Sequence, residues 1–251
     1  MTRYVRFAAG DEVGYGEQLG TEIHELIGTP FADEGRSGRV YGLDDVRLLA
    51  PCVPGKVLAV GRNFASHLHG RDAPAEPGLF AKMPTSIIGP EEDIVLPPDA
   101  RDVHYEGELV VVIGRRTRRV DADEASDCIL GVTAGNDVSE RNWQRNDLQW
   151  LRAKGSDTFG PLGPAIVTGL DHGDLLIQTR HNGVVVQSER SRDLIFPVEE
   201  IVAHASRYVT LEPGDVIYTG TPGSTSPVIP GDVIEVEVEG VGVLRNGVSA
   251  R

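Results

Sequence analysis

The fold is decided by residues 105 to 113, which read YEGELVVVI. The branched residues from Leu109 to Ile113 predict a buried β-strand, because β-branched and aliphatic side chains favour a pleated, enclosed surface. Successive side chains of a strand point to opposite faces, so Glu106 and Glu108 should point the same way, roughly 6–7 Å apart along the backbone. The run therefore predicts two carboxylates on one face of a core strand.

This pair of glutamates has two interpretations. Two ionised carboxylates at the edge of a core repel each other unless a proton or a cation lies between them. Oxygen ligands favour a hard divalent ion such as Mg²⁺, Mn²⁺ or Ca²⁺. Alternatively, both side chains face solvent on an edge strand. The pair alone leaves a metal site and a solvated edge both open.

Composition limits the class of protein and its partners. The chain has 251 residues, 40% of them hydrophobic and 25% charged, which is typical of one large globular domain or one domain with a small appendage. Its 38 acidic and 24 basic residues give a net charge of −14. That charge argues against nucleic acid or an anionic membrane as the main partner. A small anionic substrate is still compatible, because one cation and a few basic side chains can invert the field locally.

Cysteine use and the absence of long apolar runs predict a cytoplasmic protein. Cys52 and Cys128 are the only cysteines, and neither belongs to a CxxC pair. We expect reduced thiols and neither a disulfide framework nor a zinc cluster. The first residues lack the apolar stretch of a signal peptide, and no run approaches the roughly 18 apolar residues of a membrane span.

The chain is predicted to divide into residues 1–52, a small N-terminal α+β segment, and residues 53–251, the catalytic domain. Within the first segment, Tyr4 to Ala8 reads as a strand and Glu17 to Ile27 as weakly helical. Beyond it strands dominate, and they do not alternate with long helices, which predicts a mostly β (α+β) fold rather than a barrel or doubly wound sheet. The further predicted strands are 57–61, 86–88, 108–113, 130–134, 165–168, 175–182, 216–219 and 233–238. The predicted helices are 123–128, 139–146 and 198–206.

Two further charged residues are candidates for a site. Asp137 ends an apolar segment and precedes the helix predicted from Ser139, where it can serve either as a ligand or as a helix cap. Lys154 lies in a segment rich in glycine and proline, residues 152–164, which we expect to be a loop. There it is either held against a ligand or an ordinary surface charge. Residues 220–223, GTPG, offer backbone N–H groups that can receive a carboxylate, or form a plain turn.

Six short motifs occur in an order that resembles the fumarylacetoacetate hydrolase family. They are residues 60–67 (VGRNFASH), 80–82 (FAK), 105–108 (YEGE), 136–139 (NDVS), 154–157 (KGSD) and 220–222 (GTP). The resemblance covers nearly everything from about Lys56 to Asn246. It implies a fold of twisted, mostly antiparallel β-sheets rolled around a metal site, usually in homodimers. It also implies that Glu106, Glu108 and Asp137 bind a Mg²⁺ or Mn²⁺ ion.

The resemblance also implies a chemistry. Family substrates are small 2-oxo acids or their enols, and the expected reaction is hydrolysis of the C–C bond of an acylpyruvate through a metal-stabilised enolate. The alternatives are isomerisation or decarboxylation of an unsaturated or short 2-oxo diacid, and a silent carboxylate-binding module. By the same resemblance, His67 activates water or carries a proton, the alternative being an ordinary loop histidine. Lys154 pairs with the substrate carboxylate or the developing oxyanion. The positions that match substrate contacts are Arg62, Arg141, Gln144 and Thr221.

Two departures from the family pattern limit the choice of reaction. Family members of this length partner the histidine at position 67 with a glutamate three residues later, but this chain has Gly70 there. Asp72 and Glu76 are the remaining candidates for that partner. If the dyad is absent, isomerisation or decarboxylation gains over hydrolysis, because neither needs an attacking water. The second departure is residues 223–227, GSTSP, in place of a Gly-Val-Gly turn, which changes the loop that contacts the distal end of the substrate.

Overall fold

The computed structural model describes residues 1–32 and 34–250. Strands β1–β10 are Arg3–Ala9, Glu12–Leu19, Glu22–Leu26, Arg36–Gly42, Arg47–Leu49, Val57–Gly61, Gly78–Lys82, Ile87–Ile88, Ile94–Leu96 and Val103–His104. Strands β11–β19 are Gly107–Ile113, Ile129–Asn136, Ser139–Glu140, Gly160–Val167, Leu176–His181, Val184–Arg190, Val216–Tyr218, Val233–Val238 and Gly242–Ala250. Helices α1–α4 are Ala122–Ala125, Arg141–Asn146, Leu151–Gly155 and Val198–Tyr208. The predicted mostly β architecture with few helices is confirmed.

The strands form three sheets. The largest has the order β4-β3-β2-β1-β14-β12-β11-β17-β6-β7, with β5 beside β1 and β8 beside β14. A five-stranded sheet has the order β16-β15-β18-β19-β9, and β10 pairs with β13. Most pairs are antiparallel; β17 with β6, β14 with β8 and β19 with β9 are parallel. None of the described helices is long and apolar enough to cross a membrane.

Strand β11 is buried on both faces, which explains its unbroken apolar run. Leu109, Val111 and Ile113 pack into the larger core, whereas Val110 and Val112 face a second core on the other side. The larger core also takes side chains from the five-stranded sheet and from α4, among them Ile177, Val236, Leu244 and Ile201. The alternation places residues 106 and 108 on the face that β11 turns toward the second core.

Three local predictions were wrong. The weakly helical stretch Glu17 to Ile27 is instead the hairpin of β2 and β3, because Gly20 turns the chain with φ of +61° and Ile23 is buried as part of a strand. The expected loop 152–164 contains the end of α3 and the first half of β14, where glycines and prolines that suggested a loop pair with β8 and β12. The helix expected from Ser139 begins at Arg141, because the Glu140 carboxylate caps it by accepting from the Trp143 N–H at 2.6 Å.

One buried side-chain amide links three segments of the chain, two of which follow the neighbouring strands β6 and β17. The Asn63 side chain, fully buried after β6, donates to the carbonyls of Thr219 and Phe196 and accepts from the Phe196 N–H. Gly220 passes so close that a Cβ there would lie 2.7 Å from the Asn63 Cβ, and its φ of +111° suits glycine alone. Asn63 therefore fixes where the chain leaves β17.

Replacing Asn63 by alanine should lower the free energy of unfolding by about 3 kcal/mol, because two carbonyls and one N–H are left buried without a partner. Urea unfolding measures the change. Asn146→Ala is the control: the Asn146 amide is exposed and donates only to the Asn142 carbonyl, so its effect should stay within about 0.5 kcal/mol. Equal effects of the two substitutions would contradict the role given to Asn63.

Candidate active site

Three carboxylates converge where β11 meets β12. The antiparallel register places Gly107 opposite Asn136, so Asp137 emerges beside Glu106, and its N–H donates to the Glu106 carbonyl at 2.8 Å. One oxygen each of Glu106, Glu108 and Asp137 lies within 4.8 Å of the others, and all three residues are at most 4% exposed. The structure thus brings together the three predicted metal ligands. Asp137 is not a helix cap, since Glu140 has that role.

Two buried lysines neutralise part of this negative charge. Lys154 Nζ lies 2.7 Å from Glu106 Oε2 and 2.6 Å from Asp137 Oδ2, and Lys82 Nζ lies 2.6 Å from Asp137 Oδ1. Lys82 also donates to the Lys154 carbonyl, which fixes the end of α3 against the cluster. Lys154 is therefore not a surface charge, and it reaches the site from the last turn of a short helix.

The pKa directions of the two glutamates indicate that the cluster has too little positive charge to keep every carboxylate ionised. Burial alone would raise the pKa of the Glu106 carboxyl, but Lys154 and Arg141 beside it hold that pKa far below its usual range. Burial, together with the charges of Asp137 and Glu106, raises the pKa of Glu108 well above its usual value. Among the described residues, the Gly220 N–H is the one group that donates a hydrogen bond to the Glu108 carboxylate, at 2.7 Å. Neither lysine donates to it.

A hard divalent cation fits this donor set. Three carboxylates bind such ions through oxygen, and each additional positive charge would favour the ionised form of Glu108. Glu106, Glu108 and Asp137 would hold the ion, which can polarise an oxygen of a bound substrate as a Lewis acid. The donor set contains neither sulfur nor imidazole, which favours Mg²⁺ or Mn²⁺ over softer metals.

The loop after β17 closes one side of the site. The Thr221 hydroxyl donates to the Gly107 carbonyl at 3.0 Å and accepts from Gln187 Nε2 at 2.8 Å. Gln187 also accepts from the Gly107 N–H. Thr221 lines the cleft as predicted, but its proton is already donated within the protein, so only a lone pair remains for a substrate.

His67 lies at the rim, on a short 3₁₀ turn that contacts the same loop. Its Nδ1 is 2.7 Å from the Gly223 carbonyl, and the Ser66 hydroxyl accepts from the Gly223 N–H. A carbonyl can only accept, so Nδ1 carries the proton and Nε2 is left with its lone pair. Burial lowers the pKa of His67, and the charge of Glu106 only partly offsets this.

The predicted acidic partner of His67 is absent from the described part of the chain. Position 70 is glycine, and neither Asp72 nor Glu76 lies within 4 Å of the imidazole as an ion pair. Instead, the Gly223 carbonyl fixes the tautomer and orientation of the ring, which a carboxylate does in the family pattern. His67 is thereby an oriented neutral imidazole rather than half of a carboxylate dyad.

The remaining predicted contacts lie around a cleft of about 320 Å³, including its open mouth. Its walls include Val60, Gly61, Arg62, His67, Glu106, Glu108, Gln144, Trp150, Lys154 and Thr221. Arg141 contacts two residues of the cleft wall: Nη1 is 2.6 Å from Glu106 Oε1 and donates to Gln144 Oε1 at 2.9 Å. Arg62 has the most exposed side chain of the predicted substrate contacts.

Sequence analysis gave no role to three residues of this site. Lys82 was part of a motif, and the signal that distinguishes it is scarcity, because Lys56, Lys82 and Lys154 are the only lysines of a chain rich in arginine. Asn136, whose amide oxygen accepts from the Glu106 N–H at 2.8 Å, stands next to a predicted ligand. Gln187 gave no signal, since it lies in β16 between residues with no site character.

Comparisons with known proteins show what the chain is similar to. Residues 56–249 match the family described as fumarylacetoacetate (FAA) hydrolase, C-terminal, and residues 2–51 match an N-terminal family described as Rv2993c-like. A relative named mitochondrial oxaloacetate tautomerase FAHD2A, from Homo sapiens, is 42% identical over 81% of this chain and 70% of its own length.

Two solved structures share the fold. That of 5-carboxymethyl-2-hydroxymuconate delta-isomerase from Mycobacterium smegmatis has a TM-score of 0.94 and 47% identity, covering 99% of this chain and 100% of that one. That of maleylpyruvate hydrolase from Sphingobium sp. SYK-6, in complex with manganese(II) and pyruvate, has a TM-score of 0.83 and 28% identity, covering 99% of both chains. The chain therefore belongs to the fumarylacetoacetate hydrolase family.

Proposed function

We propose that this protein is a divalent-metal-dependent enzyme that moves a proton within small 2-oxo acids, as an isomerase or tautomerase of 2-oxo diacids. The observation that carries the proposal is the buried cluster of Glu106, Glu108 and Asp137, with an oriented neutral imidazole at its rim. A metal bound to the cluster would supply the Lewis acid that stabilises charge on the 2-oxo group. Proton transfer next to that group then needs one base and no attacking water.

The residues of the chain divide this work between them. Nε2 of His67 has the lone pair that can accept a proton from the carbon beside the 2-oxo group and return it at another atom. Lys154 supplies a fixed positive charge for the carboxylate or the oxyanion that forms, in a buried setting where such charges act strongly. Arg141 and Gln144 lie beyond Glu106, where they can hold the distal part of the substrate.

Hydrolysis of an acylpyruvate is the second candidate. It requires a base strong enough to activate water, and here His67 has a backbone carbonyl in place of a carboxylate partner. The names of the relatives support the same order: a tautomerase at 42% and an isomerase at 47% identity, against hydrolases at 33% and 28%. We therefore expect proton transfer to be faster than C–C cleavage.

The direct test is turnover of oxaloacetate enol, a 2-hydroxymuconate-type dienoate and an acylpyruvate with Mg²⁺ or Mn²⁺, followed by enol absorbance. We expect metal-dependent conversion of the first two to exceed cleavage of the third. His67→Ala should lower the rate roughly 100-fold, because a general base is lost. His24→Ala, on β3 and outside the lining of the cleft, is the control. Full activity of His67→Ala, or faster acylpyruvate cleavage, would contradict the proposal.

The rate should depend on pH through His67. Its pKa is lowered by burial, so the imidazole is neutral at pH 7, and protonation should remove the base only as the pH falls through that lowered pKa. We expect kcat/KM to stay level from pH 8 to pH 7 and to decline at more acidic pH. The decline should disappear from the residual activity of His67→Ala. An unchanged acidic decline in that variant would assign it to another group.

Metal binding should release protons, because ligands must be ionised and Glu108 has a raised pKa in the metal-free protein. Isothermal titration of Mn²⁺ in buffers of different ionisation enthalpy measures the number released. Affinity should rise with pH until Glu108 is ionised in the free protein. Glu108→Gln should abolish the proton release and weaken binding; proton release that persists in this variant would exclude Glu108 as its source.

Lys82→Met should destabilise the metal-free protein by about 3–5 kcal/mol, since it leaves the buried Asp137 carboxylate without one of its two counter-charges. Denaturant unfolding with and without Mn²⁺ measures this, and the ion should restore part of the loss. Arg116→Met, in an exposed pair with Glu212, is the control and should cost less than about 1 kcal/mol. A small effect at Lys82 would contradict its role.

A further inference from the structure

The loop that departs from the family pattern, residues 223–227, contacts the guanidinium of Arg141. Thr225 Oγ1 accepts a hydrogen bond from Arg141 Nη2 at 2.8 Å. The same hydroxyl lies 2.9 Å from Nδ1 of His104, whose Nε2 lies 2.8 Å from Asp102 Oδ1. A chain of four side chains therefore leads from the surface carboxylate of Asp102 to an arginine at the edge of the cleft.

The direction of each hydrogen bond in this chain follows from its ends. The Asp102 carboxylate accepts, so His104 donates through Nε2, and the Nδ1 of a neutral imidazole is left as an acceptor. The Thr225 hydroxyl therefore donates its proton to His104 and presents a lone pair to Arg141. His104 thus orients the Thr225 hydroxyl, and the lone pair of that hydroxyl accepts the hydrogen bond from the Arg141 guanidinium.

Arg141 keeps unused donors in this position. Nη1 is engaged by Glu106 and Gln144, and one Nη2 hydrogen by Thr225. Among the described residues, none accepts a hydrogen bond from Nε. Its N–H and the second Nη2 hydrogen therefore remain available to donate to a carboxylate.

We propose that Thr225 is a positioning residue that fixes Arg141 to bind the second carboxylate of a 2-oxo diacid, distal to the metal cluster. The proposal rests on the proposed function and deepens it by naming the residue that would set the preference for diacids. Three of the five donors of Arg141 have partners within the protein, and these partners hold the guanidinium in place. Thr225 is the partner contributed by the unusual loop, and two donors remain free for a ligand. A 2-oxo monoacid lacks the second carboxylate that would accept hydrogen bonds from these two donors.

The loop itself does not depend on Thr225. Tyr105 Oη and Ser226 Oγ lie 3.0 Å apart, residues 104 and 227 form an antiparallel bridge, and the Val228 N–H donates to the Val103 carbonyl at 2.8 Å. Removing the Thr225 hydroxyl should therefore release Arg141 without displacing the loop. Ser226→Ala offers a matched control, because it removes a hydroxyl from the next residue that contacts Tyr105 and not Arg141.

The test compares Thr225→Val, Thr225→Ser and Ser226→Ala with the unaltered protein, all loaded with Mg²⁺. Calorimetric titration with oxaloacetate and with pyruvate gives the preference for two carboxylates over one, and enol turnover gives KM and kcat. Thr225→Val should reduce that preference and raise KM for the diacid roughly tenfold, the effect of one hydrogen bond to a charged group, with kcat changed less than about twofold. Thr225→Ser should restore both values, and Ser226→Ala should leave them unchanged.

The outcomes separate this inference from the proposed function. A diacid preference that Thr225→Val leaves intact, or that Ser226→Ala reduces equally, would overturn the role of Thr225 even if turnover is normal. The absence of any preference for oxaloacetate over pyruvate would also overturn it. If no variant turns over enol substrates but the preference is present and depends on Thr225, the proposed reaction fails while the carboxylate subsite stands.

Discussion

Negative charge confined within the protein is the constraint on which the site depends. Glu106, Glu108 and Asp137 cannot all ionise at such short separation in an interior without positive charge beside them. Lys82 and Lys154 provide part of it from two different elements, β7 and the end of α3. The positions of that strand end and of that short helix are thereby tied to the carboxylates, so the charges that suit an ion also organise the surrounding backbone.

The three central strands form a rigid frame, and loops carry the chemistry that varies. β11 and the residue before it supply two carboxylates, β12 positions the third, and β17 leads into the loop that carries Thr221 and contacts His67. Strands buried on both faces tolerate little movement. The loops at their ends are held by side-chain hydrogen bonds, such as those of Asn63 and Gln187, and these can change without disturbing the frame.

The sequence predicted the frame and the ligands because their signals are local. An apolar run with two acids at spacing two predicts one strand and its polar face, and the ordered motifs brought in Asp137, Lys154 and His67. The hairpin of β2 and β3 was missed because its polar strands lack clear alternation, and the first half of β14 because glycine and proline there favour a loop. Lys82, Gln187 and Thr225 were missed because their contacts join residues 34 to 121 positions apart, which sequence spacing cannot reveal.

The backbone of Gly223 belongs to two functional parts at once. Its carbonyl orients His67, its N–H is bound by Ser66, and it is the first residue of the loop that ends in the Thr225 contact with Arg141. The proposed base and the proposed carboxylate contact are therefore linked through one residue. Exchange of this loop for that of a relative, as a way to change substrate, would also rotate or release the base. Evolution toward a new substrate in this chain is more easily accommodated at residues 224–226, with Gly223 retained.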